Sequence, residues 1–123
     1  MVRQSLFILL TFCVASPVSA EVAIVCSTFH YSKVKKIVEA KGSHDKYKHC
    51  AVSCLLALRC PPADVRQLGL LKEGIDLLGP GNAEMDDLKA DFKGVDFAVK
   101  KKAKTDDECI QKCHEAYPAT PSC

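Results

Sequence analysis

Tyr47-Lys48-His49-Cys50-Ala51-Val52-Ser53-Cys54 sets two cysteines four residues apart, with a histidine beside the first. The spacing returns near the end of the chain as Cys109-Ile110-Gln111-Lys112-Cys113-His114. Residues i and i+4 lie on one face of a helix, so each stretch reads as a helix carrying two sulfurs in a row. The rows either bond to each other or hold a metal together. If the two helices pack antiparallel, Cys50 faces Cys113 and Cys54 faces Cys109, which gives two bridges between neighbouring helices. A zinc site built from Cys50, Cys54, Cys109 and Cys113, with His49 or His114 replacing some of them, is the alternative. It has the right ligand count but lacks the turn of a Cys-x-x-Cys knuckle.

The compartment decides between them. Arg3 precedes the apolar run Leu6–Val14, Pro17 breaks it, and Val18-Ser19-Ala20 forms a small-residue cleavage site before Glu21. Residues 1–20 therefore read as a cleavable signal peptide, and residues 21–123 as one helical domain of a secreted or periplasmic protein. Of eight cysteines, seven remain after cleavage. Export with that density favours disulfides over metal. Cys26, Cys60 and Cys123 are left to supply a third bridge. The odd thiol stays free or joins a second chain in a disulfide-linked dimer. The inner bridge, Cys54–Cys109, is worth about 4 kcal/mol in the chain-entropy model, against about 5–15 kcal/mol for a whole domain.

Around this clasp the pattern is helical throughout. Val22 to Val38 carries a rough helical stripe that ends before Gly42. Tyr47, Cys50, Ala51, Cys54, Leu55 and Leu58 make the clearest stripe, capped by Ser43 or Asp45 and stopped at Pro61-Pro62. Val65, Leu68, Leu71, Ile75 and Leu78 make a third stripe, with Gly69 and Gly74 suited to close approach of a neighbour. A fourth helix starts at Asn82, turns Met85, Leu88 and Phe92 inward and ends at Gly94. Thr105 and Glu108 form a capping box for a fifth helix that carries Cys109 and Cys113 and stops at Pro118. The fold class is an all-α, small, disulfide-stabilised helical bundle of about four to five helices.

The net charge of +2 drops by one when Arg3 leaves, too near neutral for a nucleic-acid partner. No run is long enough for a membrane span. The Lys100, Lys101, Lys102 and Lys104 run reads as a solvated face. His44-Asp45 is similar to the His-Asp pair of secreted phospholipases A2 but lacks their flanking cysteines and calcium loop.

The residues that could carry chemistry are His49, Glu73, Asp76, Asp87 and Asp91, with Lys72 and Asp86 beside them. Asp87 and Asp91 stand at i, i+4, where like charges repel. A cation should therefore offset them: His49, Lys48, Lys72 or a divalent metal. Carboxylates around a histidine can run acid–base hydrolysis or hold calcium. The plainer alternative for Lys72, Glu73 and Asp76 is a salt-bridge and capping network. With no catalytic signature, calcium loop or zinc-protease motif in the chain, no cofactor and no metal are assigned.

Asp45-Lys46-Tyr47-x-His49, then Lys72-Glu73, Gly79-x-Gly81-x-Ala83-Glu84, Asp87, Ala90-Asp91 and Gly94, resembles the core of the serum amyloid A family. His-Cys-x-x-x-Cys followed by Lys-Glu-x-x-Asp is also similar to small cysteine-containing domains of bacterial secreted and Rhs-type polymorphic toxin proteins. The resemblance covers about residues 45–94. It implies a compact bundle of about four helices whose polar residues hold loops and helix ends together, and, by serum amyloid A, carriage of lipids or retinoids on apolar helix faces. The chain departs from that family at Asp91, where asparagine is usual, and at Lys93, where a tryptophan precedes the glycine.

Three functions follow as expectations. The first is a non-enzymatic exported protein that binds another protein, in the manner of an immunity or inhibitor protein. The second is a small exported enzyme or toxin-type hydrolase using His49 with Glu73, Asp76, Asp87 or Asp91 in an open cleft. The third is a lipid or small-ligand carrier with a cavity of roughly 300 Å3 or more.

Overall fold

A computed structural model describes residues 23–78 and 85–119, with side chains over 25–74 and 85–119. The signal-peptide reading, the Asn82 cap and Cys123 lie outside the described residues. Five helices follow one another: α1 (Ala23–Glu39), α2 (Asp45–Arg59), α3 (Pro62–Leu78), α4 (Met85–Val99) and α5 (Asp106–Ala116). The described residues contain no strand. The fold is an all-α disulfide-stabilised bundle.

α2 is the central helix and touches each of the other four, α4 most extensively. Its buried positions, Tyr47, Cys50, Ala51, Cys54 and Leu55, meet Val34 and Val38 of α1, Val95 of α4, and Cys109 and Cys113 of α5 in one core. The close fit of α4 rests on Gly94. A Cβ there would lie 2.0 Å from the Cys50 carbonyl oxygen. Gly94 does not end the fourth helix; it sits inside α4 and lets two backbones meet. Met85 points outward, at 67% exposure, because it opens the helix before its buried stripe of Leu88, Ala90 and Val95 begins. α4 ends instead near Lys101, a non-glycine residue in the left-handed region at φ 56°.

Three disulfides tie the helices: Cys50–Cys113, Cys54–Cys109 and Cys26–Cys60. The first two join α2 to α5, and the third joins α1 to the C-terminal end of α2. With all four clasp sulfurs in disulfides, no thiolate is left for zinc, so the zinc alternative is overturned. The six described cysteines all pair within the chain, which gives no support to a disulfide-linked dimer.

The helix ends hold further corrections. His44, not Ser43 or Asp45, is the N-cap of α2, and its side chain makes no capping bond. At α5 the Glu108 N–H donates to Thr105 Oγ1 at 3.2 Å, but the Glu108 carboxylate accepts from the Lys104 N–H at 2.7 Å rather than from Thr105. Gly42 has no positive φ. It is needed for room, since a Cβ would come within 2.9 Å of both Tyr47 and His114. Those two rings stack at 3.9 Å. Tyr47 Oη donates to the Val38 carbonyl at 3.1 Å, and His114 Nε2–H donates to the Lys41 carbonyl at 3.0 Å. Together they pin the α1–α2 turn to α5. At the other end of α1, Ser27 donates to the buried Asp64 carboxylate in the first turn of α3.

Candidate functional site

α2 and α4 run in the same direction with polar stripes facing each other. Lys46, His49 and Ser53 of α2, at i, i+3 and i+7, meet Asp87 and Asp91 of α4, at i and i+4. His49 Nδ1–H donates to Asp91 Oδ1 at 3.0 Å. Its Nε2 lies 3.3 Å from Asp87 Oδ2 and 3.9 Å from Asp45 Oδ1. Ser53 Oγ donates to Asp91 Oδ1 at 3.1 Å, and Lys46 Nζ pairs with Asp87 Oδ1. Asp87 and Asp91 are both buried.

Ionised carboxylates only accept hydrogen bonds. Carboxylates near both ring nitrogens of His49 therefore favour its doubly protonated form. Burial works against that charge. The Asp91 hydrogen bond and the charges of Asp91 and Asp87 outweigh both burial and the opposing charge of Lys72, and the His49 pKa lies above its ordinary value. His49 and Lys46 are thus the cations that offset the Asp87–Asp91 repulsion. His49 was legible from that repulsion. Lys46 and Ser53 were not singled out, although their spacing with His49 on one helix face could have found them.

A cleft of about 550 Å3 opens beside this network. Thr28, Tyr31, Lys35 and Glu39 of α1 form one wall. Val52, Leu56, Val65 and Leu68 of α2 and α3 give it an apolar lining, and His49, Ser53 and Asp91 reach it from below. Gly69 leaves room over Asp91: a Cβ there would lie 2.9 Å from Asp91 Oδ2. Gly74, by contrast, approaches nothing within 4 Å.

Glu73 is not gathered with His49 in the cleft wall. It is buried on α3, with Lys72 Nζ 3.7 Å from its carboxylate. Asp76 belongs to α3, and its side chain lies outside the described residues. Leu71, expected inward, is half exposed.

Asp45, His49 and Asp87 bring one potential metal ligand each within 4.8 Å of one another. The Lys46 ammonium lies on Asp87 and 3.7 Å from Asp45, and so supplies positive charge to the same two carboxylates. The second such group, Cys26, His30 and Cys60, has its two sulfurs in a disulfide. Among the described residues, no helix is long and apolar enough to cross a membrane. The chain matches no family model, no curated protein and no solved structure.

Proposed function

We propose that the protein is a secreted or periplasmic binding protein, not an enzyme, and that the cleft between α1, α2 and α3 holds its ligand. The observation that carries this reading is the cleft itself. Its volume of about 550 Å3 falls within the range of small-molecule sites. Its lining comes from α1, α2 and α3 with Asp91 of α4, and α1 and α2 are joined covalently by Cys26–Cys60. The three disulfides suit the oxidising space beyond a signal peptide. The resemblance to serum amyloid A points the same way, to a carrier.

The state of His49 argues against hydrolysis. A general base needs a lone pair within reach of substrate. Both nitrogens of His49 face carboxylates, Nδ1 on Asp91 and Nε2 toward Asp87, so neither is turned to a substrate in the cleft. Native mass spectrometry of the exported, oxidised protein tests the proposal. A small molecule should co-purify with the wild type and be lost from Val52→Trp, which fills the cleft. Turnover of a hydrolysable substrate that vanishes in His49→Gln would instead establish the enzyme reading.

Binding of another protein, in the immunity or inhibitor manner, is the second reading. It is favoured by Val25 and Phe29, one turn apart on α1 and 64% and 79% exposed beside the cleft residue Thr28. Phe29→Asp would abolish that interaction and leave cleft binding intact.

A further inference from the structure

We propose that the cleft is specific for a small phenol, whose hydroxyl donates to Asp91 Oδ2. This rests on the reading of the cleft as a ligand site. The two hydrogen bonds that Asp91 accepts, from His49 and Ser53, both end on Oδ1. Oδ2 accepts none from the described residues. Yet Asp91 is only 6% exposed, lines the cleft, and holds Oδ2 against Gly69, which also lines it. Oδ2 is not walled off from the cleft, so a ligand that brings a donor can bond to it in place of water.

The surrounding charges select the donor. An ammonium head would enter beside His49, whose charged form the two carboxylates favour, with Lys48 and Lys72 also in the wall. An anionic head would meet Asp91 itself. Lys35 and Glu39 lie 3.8 Å apart on α1 and largely offset each other. Asp45, the remaining acid of the wall, is well exposed and solvated. A neutral hydroxyl satisfies Oδ2 and meets neither repulsion. A phenol is a stronger donor than an aliphatic alcohol. Its ring suits Val52, Leu56, Val65 and Leu68, and Tyr31 in the α1 wall offers an aromatic partner.

Four probes with one ring system separate the possibilities: β-naphthol, naphthalene, β-naphthoate and naphthylmethylammonium. Each is titrated by fluorescence against the mature, oxidised chain. β-Naphthol should bind at least about tenfold more tightly than the other three, the size of one hydrogen bond to a charged acceptor. Gly69→Ala places a methyl against Oδ2 and should remove that preference while naphthalene binding persists. Val52→Trp should abolish binding of all four, with the helical circular dichroism of both variants unchanged. If naphthalene binds the wild type as tightly as β-naphthol, and Val52→Trp blocks both, the cleft remains the site but the phenol assignment is wrong. Tighter binding of the carboxylate or ammonium probe also overturns it. If no probe binds, or binding survives Val52→Trp, the cleft reading falls and the phenol assignment with it.

Discussion

Two buried carboxylates favour the charged form of His49, and the stabilisation this gives depends on pH. Its raised pKa means that the folded chain holds the proton more tightly than the unfolded chain, whose histidine titrates near 6.5. The stabilisation from this group is fully present below that unfolded value. It is lost as pH rises through the folded pKa. Urea midpoints measured across this window should therefore fall with rising pH in the wild type, and His49→Gln should flatten that slope. A histidine whose NMR titration midpoint lies at or below 6.5 would contradict the assignment. Lys46 acts on the same pair from the other side of Asp87. Lys46→Met leaves the buried Asp87 with His49 as its remaining close cation, and should raise the His49 midpoint further.

The α2–α4 contact depends on a backbone approach that only glycine permits. Gly94→Ala puts a methyl into the Cys50 carbonyl, so the helices must separate. A loss of about 1–3 kcal/mol is expected from such overpacking, read as a lower urea midpoint. Gly74→Ala meets nothing within 4 Å on α3 and should gain about 1 kcal/mol from helix propensity alone. The two substitutions are chemically identical and opposite in sign. That contrast also explains what could be read in advance. Helical periodicity and proline positions located the five helices, because both are local properties. The role of Gly94 was not local. A glycine followed by a less regular pattern reads as a helix end, and only the position of Cys50 across the interface shows that the helix continues through it. The pairing of His49 with Asp87 and Asp91 was legible, since two like charges one turn apart demand a cation. The separation of Glu73 from them was not, because the packing of α3, not its charge pattern, sets where Glu73 lies.

The molecule as a whole is held by two kinds of disulfide. Cys50, Cys54, Cys109 and Cys113 are fully buried, whereas Cys26 is partly exposed at the edge of the core. Graded reduction should open Cys26–Cys60 first, seen as alkylation of those two cysteines while the α2–α5 bridges persist. The opposite order would mean that α5 opens more readily than α1. Replacing Cys54 and Cys109 by serine should cost about 2–5 kcal/mol and lower the Tm sharply. The two α2–α5 pairings follow from the spacing once the two helices pack antiparallel, but the choice of Cys60 for Cys26 depends on where α1 lies across α2, which no spacing encodes.

The positions of the bridges also decide what a proteinase can do to the molecule. Every described cysteine lies on one side or the other of the α3–α4 stretch: Cys26, Cys50, Cys54 and Cys60 before it, Cys109 and Cys113 after it. A single nick anywhere between Cys60 and Cys109 therefore severs the backbone without separating the pieces. The cut protein should migrate as one species on a non-reducing gel and as two after reduction. Exposure to proteinases would then change the number of chains and not the number of molecules.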